Sequence, residues 1–216
     1  MEALVETPPG ASGKPRRTLP AALFAVAAAA VALFLLLGRN AEPTDASAEA
    51  GFARDMGMHH AQAVEMAFFV RDAGAEDDVR TLAGDIIVTQ TAQRGMFMGW
   101  LQQWELNQSG ELPRMAWMSG HGHGGAAAPA GGMPGMATED ELRRLEEAEG
   151  EDAEVLFLQL MIRHHEGGVR MAQALLGLSD RTEVVTLARH IVNGQTAEIK
   201  VMADMLAKRG ARPLGT

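Results

Sequence analysis

The chain of 216 residues contains no cysteine and no tyrosine, and aromatic residues make up only 5% of it. The absence of cysteine excludes disulfides, zinc–thiolate sites and thiol redox chemistry, but it does not fix the compartment. Alanine, leucine and methionine are frequent, which favours helix over strand. Methionine is unusually common, with 14 residues.

Basic residues are scarce, and the formal net charge is −9. Residues 1–40 carry a balance of +2, whereas the rest of the chain has 15 basic and 26 acidic residues. Phosphate binding needs a basic face, so the acidic main domain argues against nucleic acid as a partner. It fits a soluble domain that attracts cations.

Catalytic motifs are also missing from the sequence. It has no Glu-x-x-His of the di-iron bundles, no His-Glu-x-x-His, no phosphate loop, no Gly-x-Ser-x-Gly and no dinucleotide fingerprint. We therefore predict no catalytic residues and no enzyme activity.

One long apolar run is present at 18–38, TLPAALFAVAAAAVALFLLLG. Its 21 uncharged residues would span about 31 Å as a helix, close to the thickness of a bilayer core. A denser positive cluster precedes it, which predicts a transmembrane anchor with residues 1–17 as a cytoplasmic tail and the main domain periplasmic or extracellular. The alternative is a signal peptide cleaved near Ala46–Ala48, which would make the protein secreted.

An internal repeat organises the rest of the chain. Residues 52–104 align with 157–209 at a constant offset of 105, and sixteen of these 53 positions are identical. The identities recur at helical spacings, so each unit reads as two helices joined by a short turn. The predicted helices cover about 47–72, 77–105, 139–177 and 181–208.

Two such hairpins bury their apolar stripes best against each other. We therefore predict an all-α fold, an up-down four-helix bundle with a pseudo-twofold axis over residues 48–209. Residues 39–47 form a spacer and 210–216 a tail. The linker at 107–137 is rich in glycine, alanine and proline, so we expect it to be disordered.

Each repeat carries methionines and a pair of histidines on one face of its first helix. Imidazole suits copper and zinc, and thioethers suit soft ions such as Cu(I) and, by the same logic, Ag(I). The candidate metal ligands are Met56, His59, His60, Met66, Met161, His164, His165 and Met171.

A structural interpretation of this stripe is also open. A methionine stripe at helical spacing is usually part of a core. A buried histidine is often a satisfied hydrogen-bonding group, here with Gln90 or Gln195 on the neighbouring helix. Duplication copies core residues as well, so the repeat alone does not decide between the two interpretations.

The linker supplies a second set of candidates in a segment that we expect to have no core to fill. A tract rich in His and Met outside the cytoplasm suits copper capture, and the alternative is a compositionally biased linker with incidental methionines. The secondary candidates are Met115, Met118, His121, His123, Met133 and Met136.

The doubled pattern resembles a known family. Met-x-x-His-His, Met six residues later and then Leu-Ala-x-x-Ile-x-x-x-Gln resembles the domain of unknown function 305 family over about residues 48–209. The resemblance implies a ferritin-like, exported helical bundle, with some members binding periplasmic copper or silver. It points to the eight candidate ligands of the bundle and to Gln90 and Gln195. The first repeat departs from the pattern, because Gln93 and Arg94 replace Glu-Ile.

The leading hypothesis is thus a membrane-tethered, extracytoplasmic protein that sequesters or hands on Cu(I) or Ag(I), with copper as its cofactor. Its expected partners are the membrane and the metal ion, with a second copy of the chain or a metal-acceptor protein also open. The rival hypothesis is a helical bundle that mediates protein interaction or has a structural role, without a native metal. The four paired histidines would then serve folding alone.

Overall fold

The computed structural model describes residues 24–33, 42–118 and 132–214, and the chain divides into two compact units at Glu42. In the first unit, residues 24–33 are helical and exposed. Within the described ranges, no helix has the length and apolarity that a bilayer crossing requires. The predicted tail 1–17 and most of the predicted membrane segment 18–38 lie outside these ranges.

The described part of the second unit contains helices and the loops that join them, with no strand, so the prediction of an all-α fold is confirmed. A short 3-10 helix lies in the connection between the two hairpins, at Ala116–Met118. The α-helices are α1 Ala48–Asp72, α2 Asp77–Gln103, α3 Glu139–Glu147, α4 Gly150–Leu176 and α5 Thr182–Lys208.

The prediction of one continuous third helix over 139–177 is wrong, because the segment forms two helices, α3 and α4. The predicted capping box of Thr138 and Glu141 starts α3, and Gly177 caps α4 as expected. Between them the backbone is extended at Ala148, and Gly150 has a φ of 55°, which glycine adopts without a steric penalty. The Gly150 N–H donates to the Ala73 carbonyl at 2.8 Å, so the break docks the start of α4 on the end of α1.

The four long helices pack as two hairpins, α1 with α2 and α4 with α5, joined mainly through α1 and α4. Two apolar clusters fill the bundle, one toward each end. The first joins the C-terminal half of α1 to the N-terminal half of α4, and the second joins the two opposite halves. The helices α1 and α4 therefore run antiparallel, and equivalent residues of the two repeats approach each other at the middle.

The directions are up, down, down and up. The predicted up-down topology, in which successive long helices alternate in direction, is therefore wrong, and the connection from α2 to α4 must cross the length of the bundle. It starts beside the first turns of α1, where the Trp117 ring lies 5.8 Å from that of Phe52. It then reaches Gln62, which bonds the backbone of Ala137. The expected disorder of 107–137 is therefore wrong for 107–118 and 132–137, which pack on the helices.

Candidate metal centre

A layer of buried polar side chains separates the two apolar clusters. It contains the two histidine pairs from the middle of α1 and α4, which are completely buried, and one glutamine each from α2 and α5, which are at most 4% exposed. The six residues of this histidine layer are His59, His60, His164, His165, Gln90 and Gln195.

Equivalent histidines of the two repeats meet at the centre of the layer. The ring centroids of His59 and His164 lie 3.7 Å apart, with the planes tilted by 32°. Two imidazoles pack this closely at low cost only if they are not both charged, because like charges repel strongly in a buried site. The sequence repeat predicted that the pairs occupy related positions, and the antiparallel packing brings them into contact.

The histidine layer holds most of the unpaired buried polar groups of the described chain. Ten buried side-chain nitrogen or oxygen atoms have no partner in hydrogen-bond geometry, and nine of them belong to the six residues of the layer. They include both ring nitrogens of His164 and both amide atoms of Gln90 and Gln195. Leaving a buried polar group unpaired costs about 1–3 kcal/mol, so their concentration in one layer is unusual.

Three of the histidines bond an oxygen acceptor through Nε2. His59 donates to the Pro134 carbonyl at 3.0 Å, and His165 donates to the Glu198 carboxylate at 2.7 Å. His60 Nε2 lies 2.6 Å from Gln93 Oε1. In the neutral form each of these rings carries its proton on Nε2, and its Nδ1 then presents an unpaired lone pair.

The interpretation that Gln90 and Gln195 satisfy the histidines is therefore wrong. The acceptors on the neighbouring helices, Gln93 and Glu198, lie three residues later, and the amides of Gln90 and Gln195 have no hydrogen-bond partner. Residues three apart lie on one face of a helix, so this distinction depends on how α2 and α5 are shifted along and rotated about their axes, which the periodicity of the sequence does not specify.

Burial keeps His59, His60 and His164 uncharged at neutral pH. Desolvation lowers the pKa of His59 to about 4 and that of His60 to about 3, with the neighbouring histidines acting in the same direction. Burial and the adjacent histidines also hold the pKa of His164 well below 6.5, offset in part by the backbone of His59. Neutral imidazole is the form that binds a metal ion.

The four candidate methionines of the repeats are fully buried on either side of the layer. Met66 and Met161 belong to the first apolar cluster, and Met56 and Met171 belong to the second. Each cluster thus receives one of the four candidate methionines from each repeat. No three His, Asp or Glu side chains in the described part of the chain are placed to hold one ion.

The methionines of the linker pack in the core, whereas the sequence predicted that they lie in a segment without a core. Met115 and Met133 are at most 4% exposed and belong to the second cluster, and Met118 and Met136 pack against it. The premise that these residues have no core to fill is therefore wrong, and packing explains them. His121 and His123 lie outside the described residues.

Sequence reasoning missed two buried polar residues that hold the crossing connection. Asp55 accepts hydrogen bonds from the Met115 N–H at 2.8 Å and the Trp117 indole at 2.9 Å, and Gln62 bonds both backbone atoms of Ala137. Their counterparts in the second repeat are Leu160 and Gly167. The sequence did contain a signal for these two residues, because each is a polar residue in the buried stripe of one repeat that has no polar counterpart in the other.

Comparison with known proteins identifies relatives of known structure. The sequence profile of the family described as domain of unknown function 305, DUF305, matches residues 49–206. A DUF305 protein of Streptomyces coelicolor that is inferred to be secreted is 46% identical, with a TM-score of 0.73 over 80% of this chain and 100% of that one. A DUF305 fragment of Deinococcus radiodurans is 34% identical, with a TM-score of 0.62 over 74% of this chain and 96% of the fragment.

The protein CopM in its Cu(I)-bound form is 26% identical, with a TM-score of 0.55 over 74% of this chain and 96% of CopM. CopM has also been solved in Cu(II)-bound and Ag-bound forms. No curated protein matches the sequence.

Proposed function

The chain belongs to the DUF305 family, and we propose that it is an extracytoplasmic protein that binds Cu(I) in its histidine layer and sequesters it or hands it on. The observation that carries this proposal is the concentration of nine unpaired buried atoms in six residues. A core that served folding alone would pair these groups or replace them with apolar ones, because each unpaired group destabilises the fold. A bound cation would pair with the free lone pairs among them, those of the unprotonated ring nitrogens and the amide oxygens.

The donor set favours a soft ion with few ligands. The unprotonated Nδ1 atoms of His59, His60 and His165 are neutral nitrogen donors, and four buried thioethers lie in the adjoining clusters. Such donors select Cu(I), and Ag(I) by the same chemistry, over hard ions that need carboxylates. Because no three His, Asp or Glu groups of the described residues converge on one point, an ion that demands many hard ligands fits poorly.

The acceptors around the layer support a metal-binding role. A ligating histidine usually donates its other ring N–H to a carboxylate or a carbonyl, which fixes the tautomer and orients the ring. Glu198 and the Pro134 carbonyl stand in this relation to His165 and His59. The same contacts would also stabilise a metal-free core, but such a core gains nothing from free Nδ1 atoms.

The solved relatives support the choice of metal and compartment. CopM was solved with Cu(I), Cu(II) and Ag, at 26–29% identity to this chain. The Streptomyces coelicolor relative is inferred to be secreted, and the apolar run at 18–38 provides a membrane tether or an export signal. We infer that the helical unit works outside the cytoplasm, with His121 and His123 as secondary ligands for capture.

An anaerobic Cu(I) titration against a coloured chelator tests this function. The matched variants are a His59→Leu, His164→Leu double substitution in the layer and a His121→Ala, His123→Ala double substitution in the linker. We expect the layer variant to lose tight binding while its helix content is unchanged, and the linker variant to retain it. Absence of Cu(I) binding by the unsubstituted chain would overturn the proposal and leave the interaction bundle as the better hypothesis.

A further inference from the structure

The bundle has a small groove on the side where α2 faces α5. Equivalent positions of the two repeats line it, together with an exposed histidine of α5. The residues on which the argument depends are Gln90, Gln93, His190, Gly194, Gln195 and Glu198. The volume of the groove is about 20 Å³, enough for one water-sized group.

This groove leads directly to the histidine layer. Its lining residues Gln93 and Glu198 are the acceptors for the Nε2 atoms of His60 and His165. Two further lining residues, Gln90 and Gln195, are nearly fully buried, and neither atom of either amide has a hydrogen-bond partner. The groove therefore reaches a set of polar groups that can bond a passing ligand.

The α1–α4 side of the layer is covered by the crossing connection. The Pro134 carbonyl accepts from His59, and the backbone of Pro134 lies so close to Gly167 that a Cβ there would clash with it. The neighbouring Gly135 is packed against the backbone of Arg163 in the same way. An ion on this side would have to displace a bonded segment, whereas the α2–α5 side has an existing groove.

We propose that copper enters and leaves the histidine layer through the groove between α2 and α5, with His190 at its rim as the first ligand. This inference rests on the proposed function of the layer. His190 is exposed and replaces the acidic Asp85 of the first repeat, so the second repeat alone offers a nitrogen donor at this position. Imidazole binds Cu(I) in preference to the oxygen donors of the groove.

Gly194 provides a direct test, because it lines the groove and a Cβ built on it meets no atom within 4 Å. A Gly194→Leu substitution should therefore occupy the groove without disturbing the packing. The matched control is Gly99→Leu on α2, where the space is equally open and the residue does not line the groove. The rates of Cu(I) uptake from a weak chelator and release to a strong one are followed by stopped-flow absorbance of the full chain.

We expect Gly194→Leu to slow uptake and release by about tenfold each and to leave the equilibrium affinity unchanged, because a blocked route changes both rates equally. A His190→Ala chain should also load more slowly at unchanged affinity, and Gly99→Leu should load like the unsubstituted chain. Unchanged rates in Gly194→Leu, with tight binding intact, would overturn the route alone. Absence of tight Cu(I) binding by the unsubstituted chain would overturn the proposed function and the proposed route together.

Discussion

The Glu198 Oε2 atom lies 2.7 Å from Nε2 of His165 and ties α5 to α4 at the histidine layer. The equivalent position of the first repeat is Gln93, whose Oε1 lies 2.6 Å from Nε2 of His60. The two repeats thus hold equivalent imidazoles with acceptors of different charge. A carboxylate makes the other ring nitrogen a stronger electron donor than an amide does, so His165 should be the better ligand of the two.

Removing this carboxylate should weaken copper binding more than it weakens the fold. We expect Glu198→Ala to lower Cu(I) affinity about 10- to 100-fold, because the ring loses its orienting acceptor. Glu198→Gln keeps an acceptor oxygen, reproduces the first repeat and should retain most of the affinity. Chelator competition measures both values. Equal affinity in the Ala variant and the unsubstituted chain would contradict a ligand role for His165.

Replacing His164 with leucine should stabilise the metal-free protein. Neither ring nitrogen of His164 has a hydrogen-bond partner, so an apolar side chain of similar size removes a desolvation cost of about 1–3 kcal/mol. His60→Leu is the control and should gain less, because it also removes the bond to Gln93. Urea unfolding gives the free energies of unfolding. A His164→Leu chain that is less stable than its parent would show that His164 serves the fold.

The metal-free protein should lose stability as the pH falls from 6.5 toward 4. The pKa of His59 is lowered from 6.5 to about 4 and that of His60 to about 3, so in this window the unfolded chain binds protons that the folded chain does not. Stability is therefore complete above pH 6.5 and decreases by about 1.4 kcal/mol per pH unit for each such histidine.

Thermal melting across this range, with a His59→Leu, His60→Leu chain as control, measures the effect. The control should show a shallower decline in melting temperature. Carboxylates such as Glu141, whose pKa Arg163 lowers from 4.5 to about 2, lose their contribution only below pH 4.5. The change in melting temperature between pH 6.5 and 4.5 therefore reports on the histidines. A melting temperature that is constant between pH 6.5 and 4.5 would refute their burial in the neutral form.

Gly167 and Gly84 should respond in opposite ways to substitution by alanine. A Cβ at Gly84 meets nothing within 4 Å, so alanine should stabilise α2 by about 0.5–1 kcal/mol. A Cβ at Gly167 would clash with the Pro134 carbonyl, displace the crossing connection and break its bond to His59. We expect a net loss of stability there, measured by urea unfolding. A gain at both positions would mean that the connection does not pack on α4.

The sequence repeat was sufficient to predict the two helical hairpins and the two histidine pairs, because helix periodicity and capping are local properties. It did not show the break at Ala148, which separates α3 from α4. The capping box at Thr138 could be read from the sequence in the same way as the hairpins. The path of the crossing connection could not, because it depends on Gln62 and Asp55 meeting backbone groups about 60 to 75 residues away. The burial of Met115 and Met133 follows from that path and was equally inaccessible.

The pairing of the histidines with Gln93 and Glu198 could not be predicted, because it depends on how the neighbouring helices are shifted and rotated against each other. The stripe pattern placed Gln90 and Gln195 near the layer, but it could not show that their amides remain unpaired. That absence of partners is the feature that most strongly favours a ligand, and it is a property of the packed interior.

The most direct test of the account is a crystal structure of the Cu(I)-loaded chain with anomalous scattering measured at the copper edge. We predict a copper peak inside the bundle, bonded to Nδ1 of at least one of His59, His60 and His165 or to a ring nitrogen of His164. Copper found solely at His121 and His123, or at the protein surface, would contradict the claim that the histidine layer is the metal site.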